Sequence, residues 1–296
     1  MSIVAIINPV SGAGARGAAA SLRTALVRSE AERRGLGAEI HVTSGAGHAH
    51  AIASASAAAG ASLVIVWGGD GTLNEAGAAL LGSGTAIGLV PAGSGNGLAA
   101  ALAVPHDPRA ALAIAFDGRT RTIDAGMMAG RPFFNIAGIG FDARVAKHFN
   151  QRTAGNRGRW PYLALGAREG WRYRASEYRV ELDGQPQVLL ALVIAFANGQ
   201  EYGMGARLSP AAELDDGLLD LTIVEERPVL ARLWHARHLV MGTLHLAPRV
   251  RTAQVTTASV EAAQPMEFHV DGEPGLVSGR IDVTILPRVL RVRTAL

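Results

Sequence analysis

The stretch that decides the fold is residues 66–75, Val-Trp-Gly-Gly-Asp-Gly-Thr-Leu-Asn-Glu. It completes the apolar run Leu63–Trp67, which predicts a buried strand, and it leads into a helical pattern over Asn74–Leu81. Three glycines around one acid let the backbone approach a polyphosphate, with the N–H groups of the helix start directed at it. A glycine-rich turn capped by an aspartate would show the same local composition.

Apolar strands alternate with helical segments on both sides of this stretch. Strands are predicted at Ile3–Asn8, Glu39–Thr43, Leu63–Trp67 and Ala86–Val90, and helices at Ala18–Arg34, His48–Gly60, Asn74–Leu81 and from Gly97 onward. This alternation is typical of an α/β domain with a parallel sheet that is covered by helices on both faces. Ligands of such sheets bind at the carboxyl ends of the strands, which is where residues 68–72 are expected to lie.

The texture of the sequence changes near residue 126. Short strands follow one another, with turn signals such as Asp183-Gly184 and Asp216-Gly217 between them. Strands are predicted at Phe133–Ile136, Tyr178–Leu182, Val188–Asn198, Leu219–Glu225, Arg251–Thr256, Met266–Val270 and Arg280–Leu286, with helical patterns at Pro161–Gly170 and Val229–Met241. The pattern predicts an α/β domain over residues 1–125 and an antiparallel β-sandwich over residues 126–296, whose last strand is free to return to the first domain.

The composition narrows the chemistry. The 296 residues contain no cysteine, which excludes disulfides and thiolate metal sites, and Lys147 is the only lysine. A Walker A motif and a protein-kinase lysine strand are therefore excluded, so phosphate would be bound by backbone amides, by arginines such as Arg16 and by a metal ion. No signal peptide precedes the first strand, and no apolar run reaches the roughly 20 residues that span a bilayer.

Basic and aromatic residues are concentrated between Arg144 and Arg179. Nine Arg or Lys residues lie there against two acids, with Trp160, Tyr162, Trp171 and Tyr173 among them. This mixture favours contact with an anionic membrane surface. Nucleic acid would attract the same charge, and a solvated surface helix would show a similar composition.

A second glycine-rich loop follows the fourth predicted strand. Residues 91–99 read Pro-Ala-Gly-Ser-Gly-Asn-Gly-Leu-Ala. Because this loop comes one strand after the first, the two are expected side by side at the same edge of the sheet. Ser94 and Asn96 have side chains that can hydrogen-bond phosphate or ribose.

A third glycine-rich segment, residues 8–17, follows the first strand and contains a formal GxGxxG pattern. A Rossmann dinucleotide site is rejected, because the second strand ends at Thr43 without the acid that binds a ribose. A phosphate-facing loop with Ser11 and Gly12 as donors is expected instead.

Two acidic segments of the second half are candidates for metal binding or catalysis. Residues 211–220 place Asp215, Asp216 and Asp220 around a turn, and hard oxygen ligands at this density suit Mg²⁺ or Ca²⁺. Residues 269–274, His-Val-Asp-Gly-Glu-Pro, place two carboxylates two positions apart across a glycine turn, where one could act as general base toward a hydroxyl. Plain polar hairpins would have the same composition in both segments.

Five motifs occur in one order along the chain. They are Asn-Pro-Val-Ser-Gly at 8–12, Gly-Gly-Asp-Gly-Thr-Leu-Asn-Glu at 68–75, Pro-Ala-Gly-Ser-Gly-Asn-Gly-Leu-Ala at 91–99, Leu-Asp-Asp-Gly-Leu-Leu-Asp-Leu at 214–221 and Val-Asp-Gly-Glu at 270–273. This series resembles the diacylglycerol kinase catalytic-domain family, which includes bacterial lipid kinases and sphingosine kinases. The resemblance runs from about Ile3 to Leu286. It implies an NAD-kinase-like α/β nucleotide domain, a C-terminal β-sandwich, and an active site in the cleft between them.

The resemblance also implies roles for individual residues. The ATP-binding residues would be Asn8, Ser11, Gly12, Thr43, Gly68, Gly69, Asp70, Gly71, Thr72, Leu73, Asn74 and Ser94. Asp70 would be an active-site carboxylate and Glu273 the catalytic base, and Asp271 stands close enough to share that work.

A structural Mg²⁺ is implied at the acidic loop. By the resemblance it would be held by the carboxylate of Asp216 and the main-chain carbonyls of Glu213 and Leu218. The expected function is therefore an ATP- and Mg²⁺-dependent lipid kinase that transfers the γ-phosphate to a lipid hydroxyl at a membrane surface. The acceptor stays open between diacylglycerol and a sphingoid-type lipid, because residues 93–96, Gly-Ser-Gly-Asn, are closer to the sphingosine kinase pattern.

An NAD kinase, and a non-catalytic module that binds nucleotide or lipid, remain the alternatives. The expected partners are a lipid substrate and a peripheral membrane contact, with no nucleic acid, and a homodimer is compatible with the sequence. The protein is expected in the cytoplasm, peripherally associated with a membrane.

Overall fold

The computed structural model describes residues 2–12, 16–151, 173–200, 207–228, 237–239 and 241–295. The chain divides into two compact units, the first of Met1–Ile123 with Arg288–Leu296 and the second of Asp124–Pro287. The predicted helix at Pro161–Gly170 and most of the predicted helix at Val229–Met241 lie outside the described residues, as do Trp160, Tyr162 and Trp171 of the basic segment. Tyr173 of that segment is described, and its ring packs against Phe141.

The first unit is built on a sheet of parallel strands. Its strands are β1 (Ile3–Ile7), β2 (Glu39–Val42), β3 (Leu63–Gly68) and β4 (Ala86–Pro91), and its helices are α1 (Arg16–Glu32), α2 (His48–Ala58), α3 (Asp70–Leu80), α4 (Gly97–Ala101) and α5 (Pro108–Asp117). The spatial order is β4-β3-β1-β2, and Arg291 and Val292 of the last strand of the chain pair in parallel with β4.

The sequence of the central strands explains why they lie inside the unit. Every residue of β1, β3 and β4 is buried, as expected for parallel strands that have helices on both faces and therefore read as continuous apolar runs. β2 lies at the edge of the sheet, with its two end residues exposed and its two central residues half-buried.

The second unit is mainly antiparallel. Its strands are β5 (Arg119–Met128, which begins in the first unit), β6 (Arg131–Phe133), β7 (Ile136–Gly140), β8 (Ser176–Leu182), β9 (Gln185–Ala197), β10 (Leu219–Glu225), β11 (Val250–Val255), β12 (Thr257–Val270) and β13 (Glu273–Thr294, which ends in the first unit). Helix α6 (Phe141–Gln151) follows β7 and packs against β12, and a short 3-10 helix spans Leu244–Leu246. The spatial order is β11-β10-β9-β7-β12-β13, with β8 paired to β9 and β12.

An apolar core fills the second unit. Its largest side chains include Phe133, Phe196 and Phe268, and strand β8 alternates between buried and exposed positions above it. Most strand pairs described along the whole chain are antiparallel, and the parallel pairs are confined to the first unit. None of the described helices has the length and apolarity that crossing a bilayer would require.

Several elements differ from their predicted bounds. The strand predicted at Phe133–Ile136 is divided, because β6 ends at Phe133, β7 begins at Ile136, and residues 134–135 belong to neither strand. Strand β5 and helices α5 and α6 were not predicted. Helix α3 begins at Asp70 rather than Asn74, because the glycine turn itself forms the first helical turn. Strands β12 and β13 are longer than predicted. The polar residues near 261–264 and 278–280 remain in the strands, and the pairing of β12 with β13 continues through a bulge.

Candidate functional site

The strand register of the first unit places three loops beside one another. Ile7 pairs with Trp67 and with Val42, so β1, β2 and β3 end at the same level. Gly68 pairs with Pro91, which puts the loop that follows β3 beside the loop that follows β4. The glycine loops predicted at the carboxyl ends of these strands therefore share one edge of the sheet.

The turn between β3 and α3 is packed so closely that only glycine fits. A Cβ on Gly68 would lie 2.7 Å from the Cβ of Thr72, and a Cβ on Gly69 would lie 3.0 Å from the Cα of Gly93. Gly69 is extended, and no side chain caps the start of the 11-residue helix α3. Because no side chain caps this start, the N–H groups of Gly71 and Thr72 can donate to a ligand that accepts hydrogen bonds, as phosphate oxygens do.

Asp70 connects the two glycine loops. One of its carboxylate oxygens accepts the backbone N–H of Asn96 at 2.7 Å, and the other accepts that of Gly97 at 2.8 Å. Asn96 has a left-handed backbone with φ of 57°, and its amide group bonds back to both the N–H and the C=O of Gly93. The carboxylate predicted to meet a metal or a substrate hydroxyl is thus bound to the start of α4.

Asn8 and Thr43 directly follow the last residues of β1 and β2 at the same edge. The amide of Asn8 donates to the hydroxyl of Thr72 at 2.8 Å, which joins the first loop to helix α3. Thr43 is buried, and its N–H donates to the carbonyl of Ile7. Both predicted ATP-binding residues therefore belong to the framework that holds the loops.

The remaining predicted ATP-binding residues differ in accessibility. Ser94 is exposed, whereas Thr72 and Leu73 are buried. The N–H of Leu73 is already used inside the helix, where it donates to the carbonyl of Gly69. Together the loops carry Asn8, Ser11, Gly12, Thr43, Gly68, Gly69, Asp70, Gly71, Thr72, Leu73, Asn74 and Ser94, all of them in the first unit.

Arg23 of helix α1 is a residue that the sequence reasoning did not find. Its guanidinium donates to the carbonyls of Asn8 at 2.6 Å and Ser11 at 2.7 Å, and it lies 5.7 Å from the ring centre of Trp67. Burial lowers its pKa from the ordinary arginine value. Arg16, the arginine named from the sequence, has a side chain outside the described residues.

Glu75, the last residue of the first motif, has a structural contact. Its carboxylate accepts the N–H of Gly47 at 2.8 Å and that of Ala49 at 3.2 Å. It thereby caps the start of helix α2, which has no other side-chain cap.

The second acidic motif forms the hairpin between β12 and β13. Asp271 has a φ of 47°, and its carboxylate accepts three backbone N–H groups, from Phe134 at 2.9 Å, Asn135 at 3.0 Å and Ile136 at 3.1 Å. Glu273 follows at the first position of β13 and is exposed, with no side-chain hydrogen bond to another described residue. The two carboxylates that the sequence could not distinguish therefore have different surroundings.

A histidine lies beneath this hairpin. His269 is buried, its Nε2 lies 3.3 Å from a carboxylate oxygen of Asp142, and its Nδ1 accepts the N–H of Gly272 at 3.2 Å. The sequence offered one signal, a histidine two positions before an aspartate in a strand. Nothing in the sequence indicated that the partner would be 127 positions away.

A buried aspartate, Asp124, makes hydrogen bonds with the acidic loop that precedes β10. Asp124 is fully buried, its carboxylate accepts the N–H of Gly217 at 2.7 Å, and its own N–H donates to the carbonyl of Leu214. At the surface of the loop, Asp216 accepts the N–H of Leu218 at 3.0 Å, and Glu213 is exposed.

The charges of this loop are compatible with a bound cation. Burial raises the pKa of Asp220, and the nearby negative charges of Asp216 and Glu213 raise it further, against the effect of a hydrogen bond with Ser209. Among the described residues, no group of three or more His, Asp or Glu side chains is arranged to hold a metal ion. The site implied by the resemblance needs one carboxylate and two main-chain carbonyls, which Asp216, Glu213 and Leu218 can supply.

Comparison with known protein families covers almost the whole chain. Residues 2–128 match the diacylglycerol kinase catalytic domain, and residues 135–294 match the YegS C-terminal NAD kinase beta sandwich-like domain.

Two relatives align over most of the chain. The diacylglycerol kinase of Mycobacterium tuberculosis is 33% identical over 286 residues, which cover 92% of this chain and 88% of the relative. A protein of Chromohalobacter salexigens named "Probable lipid kinase YegS-like" is 33% identical over 216 residues, which cover 71% of this chain and 69% of the relative.

Solved structures share the fold at low sequence identity. A diacylglycerol kinase from Bacillus anthracis superposes with a TM-score of 0.71 at 17% identity, over 99% of this chain and 96% of that one. An NAD kinase from Archaeoglobus fulgidus in complex with ATP superposes with a TM-score of 0.55 at 11% identity, over 98% of this chain and 93% of that one. From its two matched domains and from these relatives, the chain belongs to the diacylglycerol kinase family of lipid kinases, enzymes whose phosphate acceptor is an alcohol.

Proposed function

We propose that this protein transfers the γ-phosphate of ATP to the hydroxyl of a diacylglycerol or sphingoid-type lipid at a membrane surface. The observation that carries the proposal is the pair of interlocked glycine loops at the carboxyl ends of β3 and β4, beside a helix start that no side chain caps. Such a start offers N–H groups and the positive end of a helix dipole to a polyphosphate.

The nucleotide is assigned to the first unit. The N–H groups of Gly71 and Thr72 at the start of α3 would bind phosphate oxygens, and the exposed Ser94 would add a hydroxyl. Arg23 provides positive charge to this edge through the loop that it holds, which is useful in a chain with a single lysine.

The proton acceptor is assigned to Glu273 of the second unit. Its carboxylate is exposed and makes no hydrogen bond to the described residues, so it is available to a substrate hydroxyl. Asp271 is the weaker candidate, because its two oxygens already accept three backbone N–H groups. In-line transfer would then depend mostly on positioning and charge neutralisation, as phosphoryl transfer generally does.

A structural Mg²⁺ is assigned to the acidic loop of the second unit. The carboxylate of Asp216 and the carbonyls of Glu213 and Leu218 would hold it, and hard oxygen ligands are those that Mg²⁺ prefers. Its chemistry there would be the neutralisation of carboxylates that otherwise crowd one another. Membrane contact is assigned to the basic and aromatic residues between Arg144 and Arg179 from their composition.

The test is phosphate transfer from γ-labelled ATP in Mg²⁺ buffer to a panel of diacylglycerol, sphingosine, other lipid alcohols and NAD. We expect label in one lipid extract, dependent on vesicles that contain anionic lipid. Label on NAD alone would favour the NAD kinase alternative, whose fold this chain shares at a TM-score of 0.55. Binding of ATP without transfer to any acceptor would contradict the proposed activity and favour a binding module.

A further inference from the structure

The buried pair Asp142 and His269 lies directly beneath the turn that presents Glu273. Asp142 is in the first turn of α6 and His269 is near the end of β12, and both side chains are more than nine-tenths buried. Gly138 of β7 pairs with His269, and a Cβ at this glycine would overlap the Asp142 carboxylate. The absence of a side chain at Gly138 therefore leaves the space that the Asp142 and His269 pair occupies.

The hydrogen bonds of His269 define the position of its proton. The backbone N–H of Gly272 can only donate, so Nδ1, which lies 3.2 Å away, must accept with its lone pair. The ring proton is then on Nε2 and faces the carboxylate of Asp142 at 3.3 Å. The carboxylate thereby selects the tautomer that can hold Gly272, as second partners of histidines generally do.

The bond to Gly272 acts on the conformation of the turn. Asp271 and Gly272 have φ values of 47° and 84°, and Val270 pairs with Glu273 across them. Consecutive left-handed residues between paired strand ends form a two-residue hairpin turn of the Asp-Gly type. Gly272 directly precedes Glu273 in the turn. The same peptide units therefore set both the direction of the Gly272 N–H and the position of the Glu273 carboxylate.

We propose that Asp142 and His269 are positioning residues for phosphoryl transfer, which hold the turn so that the Glu273 carboxylate meets the acceptor hydroxyl. The inference rests on the proposed function, in which Glu273 accepts the proton. Neither residue exchanges a proton with substrate in this account. Their effect passes through the backbone of Gly272, with Asp271 holding the opposite side of the turn to the chain at 134–136.

The first test is Asp142→Asn. An amide can donate to Nε2, which would move the ring proton to Nδ1 and remove the acceptor for Gly272. We expect kcat to fall about ten- to hundredfold, since small misplacements of catalytic groups have effects of that size, while the KM for ATP is unchanged. Nitrogen-15 NMR of His269 should report the Nε2–H tautomer in the wild type and the Nδ1–H tautomer in the variant, independently of activity.

The second test separates the two bonds of the histidine. In His269→Asn the side-chain oxygen can take the place of Nδ1 and accept from Gly272, whereas in His269→Gln the amide reaches toward Asp142 and leaves Gly272 without its acceptor. We expect His269→Asn to retain more activity than His269→Gln. If Asp142→Asn does not unfold cooperatively and is therefore misfolded, the relative activities of His269→Asn and His269→Gln still decide the proposal.

The matched control is Glu267→Gln. Glu267 is on the same strand as His269 and binds Lys147 of the same helix at 2.7 Å, so it joins the same two elements without reaching the turn. We expect its kcat to stay near the wild-type value. Equal losses in Glu267→Gln and Asp142→Asn, or no loss in Asp142→Asn, would overturn the positioning role.

Failure of the proposed function has a different signature. If Glu273→Gln keeps full activity, Glu273 is not the proton acceptor, and the account fails for that reason. If Glu273→Gln is inactive while both Asp142→Asn and His269→Gln are fully active, only the positioning role fails.

Discussion

The backbone N–H of Asn96 lies 2.7 Å from the carboxylate of Asp70, which joins two glycine loops that are 26 residues apart in the sequence. The second carboxylate oxygen binds the next N–H, so the acid of the Gly-Gly-Asp-Gly motif is bonded to both donors at the start of α4. In this structure Asp70 orders the sheet edge to which we assign the nucleotide, and its assignment as a catalytic carboxylate stays a prediction.

We predict that Asp70→Asn weakens ATP binding about tenfold or more and abolishes transfer, while the fold is kept. The amide places an NH₂ group against a backbone N–H and removes a charge-assisted bond worth about 1.5–3 kcal/mol. ATP affinity by calorimetry and the melting temperature by circular dichroism would measure the two effects separately.

Asp107→Asn is the control for that variant. Asp107 caps helix α5 by accepting the N–H of Ala110, and asparagine caps helices about as well as aspartate. Wild-type ATP affinity in Asp70→Asn would mean that the two loops do not need this connection.

We predict that Gly93→Ala destabilises the protein by about 1–3 kcal/mol, as overpacking of a filled site does, and lowers ATP affinity. The added Cβ would lie 2.7 Å from the Cα of Gly69 and 2.9 Å from the side-chain oxygen of Asn96. Gly84→Ala is the matched control, since its Cβ would meet no atom within 4 Å and its backbone angles suit alanine. Urea unfolding should rank the two variants in that order, and equal stabilities would contradict the packing argument.

Much of the fold of the first unit could be predicted from the sequence, because strands that are buried on both faces have continuous apolar sequences. Strands β1, β3 and β4 are continuous apolar runs, and a glycine-rich segment follows each of them at the level where the ligand edge was expected. The start of α3 was missed by four residues, because glycine and aspartate favour turns and only tertiary packing makes residues 70–73 helical.

Only part of the candidate site could be predicted from the sequence. Glycines and acids cluster locally, so the loops themselves were identified from the sequence. Their partners depend on contacts between distant residues, such as Asp70 with Asn96 or Arg23 with Asn8, and no local pattern records these. Asp271 and Glu273 looked equivalent in the sequence because their difference arises from the backbone at residues 134–136.

We predict different outcomes for the two carboxylates of the hairpin. Glu273→Gln should lower kcat by about 10²–10⁴-fold, the usual contribution of a general base. The melting temperature of the protein should not change, because Glu273 is exposed. Asp271→Asn should also lower the free energy of unfolding, by about 1–3 kcal/mol, because it turns an acceptor toward three N–H donors into an amide. Full activity in Glu273→Gln with an inactive but stable Asp271→Asn would move the base to Asp271.

We predict that Arg23→Met raises the KM for ATP with little change in kcat. Methionine keeps the packing of the side-chain stem but removes the bonds to the carbonyls of Asn8 and Ser11, so the phosphate-facing loop is no longer held. Arg28→Met on the exposed side of the same helix is the matched control. Steady-state kinetics with varied ATP would reveal the difference, and equal KM values in the two variants would argue against a role of Arg23 in the loop.

We predict that Arg34→Met destabilises the protein more at neutral pH than at strongly acidic pH. Arg34 binds Asp117 and the buried Glu30, and hydrogen bonds from Arg33 and Arg34 lower the pKa of Glu30, while the bond from Arg34 lowers that of Asp117. A carboxyl group whose pKa is lowered by folding contributes stability above its unfolded pKa of about 4 and loses it as the pH falls through the folded value. The wild type should therefore exceed Arg34→Met by about 2 kcal/mol at pH 7, less than for a fully buried pair because Asp117 is exposed and Arg33 remains. Urea unfolding between pH 7 and about pH 2 should show this difference shrinking below the unfolded carboxyl pKa. A difference that is constant with pH would assign the effect instead to lost packing of Arg34 against the Phe116 ring.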